Sequence, residues 1–599
     1  MKKRSYLAIS LIAIVLFLEV GTATAQKDTT RLKQEVEVTK AYQPSINEAF
    51  KINDIPKVKA EPTETPTFDY SIYSKPVFST FDVKPVVAAK MVGESKSEMG
   101  LGLLKLGFGN YLTPYGEFFF NAQPDKKSNF GMHFRHLSSS GKINLLNEDK
   151  VKAPNSENTA EIFGKHFFRK STLSGKLAFD RKAFTYYGYT GDLLTDSEKS
   201  QIIPLWGDKQ YFSKGTADVH LKSETLAAYN LNYDFGMNYQ LMKSKTGQTE
   251  NQFVLSGDLK RKFGNAFGQL NASLTYYTVD SIRNNSSFGY GKKNQMMIRA
   301  NPSVRWETDN SSLQIGLNST IFFDKDASAD FLVYPKVKAE WSPVERILTL
   351  FAGVDSYLQH NTYSGIATEN QYVDIYHDIK NTLYEYVLSG GFKGKLSSKT
   401  NYVAEVNYST VKDQHFYYTS GMDIYKPNSI APWRRLQNTF RLLYDDVNIL
   451  KMSGEVLHAV SDNFSLHLIG NYYSYDLKTQ DKAWQMPNFD LTISGVYKPT
   501  GQLKFTTDIF VVGKRTALIE DIDSRLLSSP SSVLSQALIT KSEVAMDPII
   551  DLNVGAEYQF SPKLNFFVKL NNFGFQQYEQ WLGYTNKSFN WMAGISYSF

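Results

Sequence analysis

Apolar and polar side chains alternate along this chain in segments separated by turn-forming residues. In the clearest segment, Tyr229 to Leu241, every second residue is apolar or aromatic and the residues between are Asn, Asp, Gly or Gln. A two-residue period places these two sets on opposite faces of a β-strand. The alternation recurs at 313–318, 552–560 and 564–571 without helical patterns between the strands. A polar interior and an apolar exterior are therefore predicted, as in a transmembrane β-barrel.

The number of such strands indicates the size of the barrel. The predicted fold class is all-β, a transmembrane antiparallel barrel of about 22 strands over residues 98–599. Short turns alternate with longer connections, and the long ones are 139–157, 186–209, 358–382, 413–436, 516–547 and 576–588. Outer-membrane barrels have short turns on the periplasmic side. Both mature termini are therefore predicted to be periplasmic.

The last ten residues have the pattern of a closing strand. Apolar and aromatic side chains alternate with small or polar ones up to an aromatic carboxyl-terminal residue. The spacing of Gly594, Tyr597 and Phe599 resembles the carboxy-terminal signal that the barrel-insertion machinery of Gram-negative outer membranes recognises. Outer-membrane lipid and this machinery are therefore the first predicted partners.

The amino-terminal residues have the pattern of a secretory signal peptide, predicted at residues 1–25. Cationic residues precede an apolar run at 7–18, and Ala23 and Ala25 form a small-x-small cleavage site, so Gln26 is expected to begin the mature protein. An uncleaved anchor is the weaker interpretation, because the run is shorter than the roughly 20 residues that a spanning helix needs.

Composition is consistent with a barrel and excludes several classes. Mean hydropathy is −0.35, yet aromatic residues make up 14% of the chain. In a barrel only alternate residues touch lipid, while Tyr, Phe and Trp collect in interfacial girdles. Removal of three signal-peptide cations and one acid lowers the net charge from +6 to +4. This charge is too small to indicate nucleic-acid binding. The chain contains no cysteine, which excludes disulfides and thiol chemistry.

Residues 26–97 form a second region between the signal peptide and the barrel. They contain six prolines with interleaved charges and no sustained period. Such a composition predicts an extended periplasmic segment without a packed core of its own.

The carboxy-terminal hundred residues resemble the TonB-dependent receptor family. The similarity is carried by 548–560, by the asparagine-bearing strand end at 569–573, by Gly583 and Tyr584, and by 594–599. It implies an outer-membrane barrel that takes up a solute with energy supplied through TonB. Members of the family have a plug domain of well over a hundred residues before the barrel, whereas here only 26–97 stand in that place.

A short segment of the amino-terminal region also resembles the family. Glu35, Val36, Glu37, Val38 and Thr39 are similar to the segment through which these receptors contact TonB. A single exposed strand-like stretch in a tail is the other interpretation of these residues.

A barrel of this circumference requires something in its lumen. Barrels of about 22 strands are normally filled, because an empty one leaves a channel at least as wide as that of a porin. The candidates are the extension 26–97, the long connections 186–209, 358–382 and 516–547 folding inward, or a partner protein. The extension is the preferred candidate, because its prolines leave few unpaired backbone donors in a polar lumen.

No set of residues indicates catalysis, a cofactor or a metal site. His133 and His136 are close in sequence, but residues three apart on a strand point to opposite faces, so they are predicted to be ordinary barrel residues. The scattered Ser and His residues show no spacing typical of a nucleophile and its base. An enzyme is therefore not predicted.

Aromatic residues in the outer connections are candidate ligand contacts. They stand beside hydrogen-bonding and charged groups, a composition suited to a sugar, a peptide or a protein. The alternative is that they form the aromatic girdle and rim of the barrel. The candidates are Tyr417, Tyr418, Trp433, Tyr578, Trp581 and Tyr584.

Two functions remain open from the sequence. In the first, the protein is a channel or receptor-like transporter for an unidentified solute. In the second, it is a non-transporting subunit of an outer-membrane assembly, secretion or surface-export complex, with another periplasmic or outer-membrane protein as its partner. The family resemblance favours the first, and the shortness of the segment before the barrel favours the second.

Overall fold

The structure is a computed structural model, and it describes the barrel region of the chain. The described residues are 101–123, 125–189, 209–224, 230–280, 292–324, 329–374, 378–420, 439–522 and 539–599. The predicted signal peptide with its cleavage site, the segment 26–97 with its possible TonB contact at 35–39, and Trp433 lie outside these residues. Those predictions are therefore untested by the structure.

Strands account for most of the described residues. The first fourteen are β1 (Gly102–Gly109), β2 (Thr113–Ala122), β3 (Ser128–Ser139), β4 (Lys142–Asn144), β5 (Lys150–Lys152), β6 (Asn155–Phe167), β7 (Ser171–Thr185), β8 (Lys209–Ser223), β9 (Asn232–Ser244), β10 (Thr249–Phe263), β11 (Ala266–Asp280), β12 (Lys292–Glu307), β13 (Ser311–Asp324) and β14 (Asp330–Val344). The others are β15 (Leu348–Gln359), β16 (Thr382–Ser397), β17 (Thr400–Ser420), β18 (Phe440–Ser461), β19 (Phe464–Leu477), β20 (Phe489–Tyr497), β21 (Leu503–Val512), β22 (Arg515–Ile522), β23 (Ile539–Met546), β24 (Ile549–Gln559), β25 (Leu564–Asn571), β26 (Glu579–Trp581), β27 (Tyr584–Thr585) and β28 (Asn590–Ser598). One helix, α1 (Tyr363–Glu369), lies between β15 and β16.

Twenty-two of these strands form one closed antiparallel barrel, which confirms the predicted fold class. Chain neighbours pair in sequence, and β1 closes the barrel by pairing with β28 from Leu103↔Ser598 to Gly109↔Met592. The hairpins β4–β5, β22–β23 and β26–β27 stand outside this wall, since β3 pairs with β6, β21 with β24 and β25 with β28.

The two faces of the wall differ in chemistry as the alternation predicts. On β9, Phe235, Met237 and Tyr239 are exposed on the outer face, as a lipid-facing surface requires. Asn238 lies on the inner face, where its side-chain amide donates a hydrogen bond of 3.0 Å to Asp218 of β8. Among the described residues, no helix is both long and apolar enough to cross a membrane.

The two ends of the barrel also differ. One end, which we call the turn end, has short connections such as 264–265 and 398–399, and there β1 begins and β28 ends. The other end, which we call the loop end, has the long connections. Several of these contain more structure than predicted: β17 continues to Ser420, and β22–β23 occupies much of the predicted connection 516–547.

Strand boundaries differ from the prediction by a few residues, and the strand β9 shows why. The strand predicted over Tyr229–Leu241 spans Asn232–Ser244. The shift follows from its neighbours, because the pairing of β9 with β10 stops at Lys260↔Asn232. A regular alternation shows which residues share a face, but it does not show where the partner strand ends.

Candidate functional site

A cluster of buried apolar residues lies at the loop end of the barrel, and we call it the mouth cluster. Its members come from inner faces of the wall and from four connections. They are Phe184, Tyr186, Phe212, Met242, Tyr363, Ile366, Ala367, Tyr372, Val373, Tyr417, Phe440, Leu442, Ala517, Met546, Leu582 and Tyr584. Apolar side chains on the inner face of a wide barrel have no lipid to contact, so burial against each other removes them from water.

The mouth cluster joins opposite walls of the barrel. Around the 22 strands, β7 is the fifth and β18 the sixteenth, so they are half a circumference apart. The ring of Phe184, on β7, lies 5.6 Å from the ring of Tyr372. The backbone of Tyr372 accepts a hydrogen bond of 3.0 Å from the amide of Phe440, on β18. The connection that contains Tyr372 therefore crosses the lumen.

This connection, residues 360–381, begins with α1 and is held against the wall by polar contacts. The Thr362 hydroxyl caps the helix by accepting from the amide of Gly365. A carboxylate oxygen of Glu250 accepts from the amide of Ser364 at 3.1 Å and from the Tyr277 hydroxyl at 2.8 Å. Since Glu250 is almost fully buried, these charge-assisted bonds anchor the helix strongly.

His360 forms a second anchor of the same connection. Its Nδ1 lies 3.3 Å from Nε2 of Gln252, its Nε2 lies 3.3 Å from Oε1 of Gln295, and its ring meets that of Tyr277 edge-on. A neutral imidazole satisfies both amides by accepting from Gln252 and donating to Gln295. Burial, with the nearby Arg299 and Lys293 charges, lowers the pKa of His360 to about 4.

A second connection, residues 572–589, enters the mouth cluster from the closing edge of the barrel. The ring of Tyr584 stacks on that of Tyr372 with centroids 3.5 Å apart, and Trp581 meets Tyr417 edge-on at 4.9 Å. Gly583 has φ +80°, and a Cβ there would lie 3.1 Å from the backbone of Tyr189. Glycine is therefore needed at this position for both conformation and space.

Arg515 holds this second connection through its backbone. Its guanidinium donates to the carbonyls of Gln580 and Glu579 at 2.5 and 2.6 Å. Burial lowers the pKa of Arg515, and the Glu579 charge opposes that change. Burial also raises the pKa of Glu579 to about 6, against the opposing effects of the Gly583 amide and Arg515. The connection thus contains a carboxyl group that titrates close to neutral pH.

The structure places the candidate ligand contacts in different surroundings. Tyr417, Trp581 and Tyr584 meet in or beside the mouth cluster. Tyr418 packs in a separate cluster that includes Phe416 and Trp484. The hydroxyl of Tyr578 donates to Asp551 at 2.7 Å. Contact of these residues with a ligand stays a prediction.

Part of the closure was predicted and part was not. The connection 358–382 was one of the candidates for filling the lumen, although the extension 26–97 was preferred, and the structure shows that this connection crosses the lumen. The connection 572–589, the helix α1 and the central position of Tyr372 were not predicted. The only sequence signal was the concentration of aromatic residues in outer connections, which indicated a ligand surface or a girdle rather than a closure.

The carboxy-terminal residues show why their spacing matters. A Cβ on Gly594 would lie 2.2 Å from the carbonyl of Leu106 and 2.5 Å from the ring of Phe567, so the closing strands meet where no side chain fits. Phe599 exchanges two backbone hydrogen bonds of 3.0 Å with Gly102, and its ring covers that glycine. Recognition of Gly594, Tyr597 and Phe599 by the insertion machinery stays a prediction.

The two histidines lie on opposite faces, as predicted. His133 contacts Glu117 at 3.0 Å on the inner face, whereas His136 contacts Asn158 at 2.7 Å. Across the described ranges, no group of three or more His, Cys, Asp or Glu side chains is arranged to hold a metal ion.

Comparisons with known proteins support the fold and extend over the barrel. No protein-family model matches the sequence, and no curated protein matches it either. Solved structures do match. The siderophore receptor PirA from Acinetobacter baumannii has a TM-score of 0.60 and 11% identity, covering 84% of this chain and 81% of PirA. The FrpB iron transporter from Neisseria meningitidis, F3-3 variant, has a TM-score of 0.61 and 10% identity, with 84% and 82% covered. The copper transporter OprC has a TM-score of 0.58 and 11% identity, with 83% and 82% covered.

Proposed function

We propose that this protein, whose 22-strand barrel has the fold of TonB-dependent receptors, is an outer-membrane channel or receptor-like transporter for a solute. The observation that carries the proposal is the mouth cluster. It closes a wide polar lumen with loop segments, through ring contacts and hydrogen bonds, and it includes no covalent link. Such a closure opens when a ligand or a partner competes for those contacts.

The proposal also assigns an orientation and partners to the protein. The mouth cluster is on the outside of the cell and the turn end faces the periplasm, so both mature termini are periplasmic. Cleavage between Ala25 and Gln26 releases the extension 26–97 into the periplasm. Glu35–Thr39 then lies where TonB or another periplasmic protein contacts it, and the strand ending at Phe599 is the segment that the insertion machinery binds.

The aromatic candidates gain a specific role in this proposal. Tyr417, Trp581 and Tyr584 line the closure. A ligand that reaches the closure from outside replaces the contacts between these rings with contacts between the rings and the ligand. No catalytic group is part of the proposal, because solute passage requires only binding and opening. Residues 1–25, 26–97 and 98–599 then act as signal, periplasmic arm and pore.

Single-channel recording in planar bilayers tests the proposal. The mature protein is compared with versions that lack 26–97, lack 576–588, or lack both. We expect the mature protein to be silent and deletion of 576–588 to produce large conductance, alone or with removal of 26–97. Removal of 142–152, a loop-end hairpin outside the mouth cluster, is the matched control and is expected to leave the pore silent.

The pattern of outcomes separates the possible seals. Conductance that requires both deletions shows that the extension and the mouth cluster each close the lumen. Silence of all versions, although inserted and folded, contradicts a pore. It favours the accessory subunit of an assembly, secretion or surface-export complex, which is then sought as a stoichiometric partner after mild detergent extraction.

A further inference from the structure

The lumenal wall next to the mouth cluster carries an excess of positive charge. Four cations form what we call the basic patch: Arg135 on β3, Lys182 on β7, Lys569 on β25 and Lys587 in the connection before β28. The strands that carry them belong to one continuous arc of wall, β25-β28-β1-β2-β3-β6-β7. The three wall residues alternate with outward-facing apolar ones, such as Val568 beside Lys569 and Phe134 beside Arg135.

The basic patch borders two adjoining clefts. Arg135, Lys569 and Lys587 line one cleft, and Lys182 and Lys587 line the other. Asn155, Glu157 and Lys587 belong to both clefts, so the two form one elongated site. The mouth cluster borders this site directly, since its members Tyr372 and Tyr584 also line the second cleft.

Acidic groups neutralise the basic patch only in part. Glu157 is shared, with a carboxylate oxygen 3.9 Å from Arg135 and another 3.9 Å from Lys182. Both distances exceed a hydrogen bond, so the donors of these cations keep capacity for another acceptor. Glu369, the other acid at the border, is bound by His415 at 2.9 Å.

The two lysines on the far side of the patch have spare donors. In the part of the chain that the structure describes, neither Lys569 nor Lys587 has a hydrogen-bond acceptor or an ion pair for its ammonium group. Burial lowers the pKa of Lys587, with Glu157 acting in the opposite direction. A half-buried ammonium group without an acceptor is costly in free energy, and a bound anion removes that cost.

Neutral amides complete the lining. Asn155, Asn571 and Asn590 border the same clefts, and the side-chain amide of Asn571 donates to Asn590 at 2.8 Å. Amides supply both donors and acceptors, so they bind hydroxyl groups or the edges of a carboxylate. Cations spread over an elongated cleft, with amides between them, suit a solute that has more than one negative group.

We infer that the basic patch binds a multivalent anionic solute with carboxylate or phosphate groups, at the loop end of the lumen and directly beside the mouth cluster. This inference deepens the proposed function, on which it rests for the route of the solute. The site opens to the lumen rather than to the lipid-facing surface, which favours a soluble anion over a lipid headgroup. An anion bound there contacts the mouth cluster through Tyr372 and Tyr584, which line the same cleft.

Titration calorimetry of the mature full chain in detergent tests the inference without requiring a pore. The probes are tricarballylate and pyrophosphate at pH 7 and low salt, with the neutral triamide of tricarballylic acid and a short-chain phosphatidic acid as comparison ligands. We expect binding of the soluble anions and none of the triamide. The double variant Lys569→Gln/Lys587→Gln is expected to bind roughly ten-fold more weakly or worse, and higher salt is expected to weaken binding of the wild type.

The control removes two lumenal lysines that already have partners. Lys336 lies 3.3 Å from Asp355, and Lys393 lies 3.0 Å from Glu340, so Lys336→Gln/Lys393→Gln is expected to leave anion binding unchanged. Heat-modifiable gel mobility shows that each variant is a folded barrel. Absence of anion binding, equal binding by the double variant, or preference for the phosphatidic acid overturns the inference. Anion binding by a chain that never conducts instead contradicts the transport proposal alone.

Discussion

The ring of Tyr372 is the residue on which the mouth closure depends most directly. It stacks on Tyr584 and also contacts Phe184 and Tyr187, so two separate chain segments, 184–187 and the connection 572–589, meet on one side chain. Burial raises the pKa of Tyr372 to about 12, which keeps its hydroxyl neutral at all physiological pH values. A substitution of Tyr372 therefore disturbs the contacts of both chain segments at once.

Tyr372→Ala is expected to open the closure. Truncation of a buried aromatic ring costs about 3–5 kcal/mol, so openings in planar bilayers are expected to become frequent in the chain that lacks 26–97. Tyr372→Phe keeps the ring and serves as the control, with openings as rare as in the parent. Equal silence of both variants contradicts a central role for this ring.

Glu579 is expected to make the closure depend on pH. Its pKa is raised to about 6 from 4.5, so the closed state binds a proton more tightly than the open chain. The stabilisation is complete below pH 4.5 and is lost as pH rises through 6, by about 2 kcal/mol in total. The contribution of Glu579 alone therefore raises opening frequency between pH 4.5 and pH 6, and it is recorded in the His360→Gln background, because His360 opposes it over the same range. Glu579→Gln removes this contribution, and an unchanged profile in that variant refutes the assignment.

His360 is expected to act in the opposite direction. Its pKa is lowered to about 4 from 6.5, so its neutral form stabilises the closure fully above pH 6.5, and this contribution is lost as pH falls toward 4. Since the two contributions oppose each other between pH 4.5 and pH 6, His360→Gln is expected to leave the rise of opening frequency with pH that Glu579 causes, whereas Glu579→Gln leaves the fall that His360 causes. Opening frequency recorded between pH 4 and pH 7.5 separates the two groups, and parallel changes in the two variants contradict their opposite effects on the closure.

At the scale of elements, the strands were predictable and the closure elements were not. The alternation predicted at 564–571 coincides with β25, and that at 313–318 lies within β13, because barrel strands alternate strictly between lipid and lumen. Helix α1 has only seven residues, too few for a helical period to be distinguished from chance. Its position depends on Glu250, more than a hundred residues earlier.

Glu250→Ala is expected to release α1 from the wall. The change removes the acceptor of the Ser364 amide and of the Tyr277 hydroxyl, and a bond to a charged group contributes about 1.5–3 kcal/mol. Backbone amides of 362–370 are expected to exchange hydrogen at least roughly ten-fold faster by mass spectrometry. Asp258→Ala, a lumenal acid on the same strand that contacts Asn271 instead, is the control. Equal protection in both variants means that α1 is held by its apolar face alone.

At the scale of the whole molecule, the candidate site combines residues that no local pattern relates. Phe184, Tyr372, Phe440 and Tyr584 come from four separate parts of the chain, yet they share one cluster. The sequence shows that each is aromatic and near a strand end, and this is compatible with a girdle, a ligand surface or a closure. These residues come together only because the circular order of the strands places opposite walls around one lumen. That order follows from the complete barrel.

Phe599→Asp is expected to reduce the amount of inserted barrel. The residue ends the outward-facing set of β28, its ring covers Gly102, and a charge on the lipid-facing side is unfavourable. Outer-membrane levels measured by heat-modifiable mobility are expected to fall strongly, whereas Phe599→Tyr keeps the ring and near-normal levels. Normal insertion of the Asp variant refutes the predicted role of the carboxyl terminus.

The pairing of β1 with β28 also constrains the order of events in biogenesis. Near the loop end, the amide of Trp591 donates to the side chain of Asn110, a contact that spans 481 residues of sequence. Until the last strand is synthesised and exported, every intermediate has two unpaired sheet edges, which are sites for aggregation. Chaperoning must therefore cover the whole chain, and a premature stop within the last strand leaves the seam of the entire barrel without its partner.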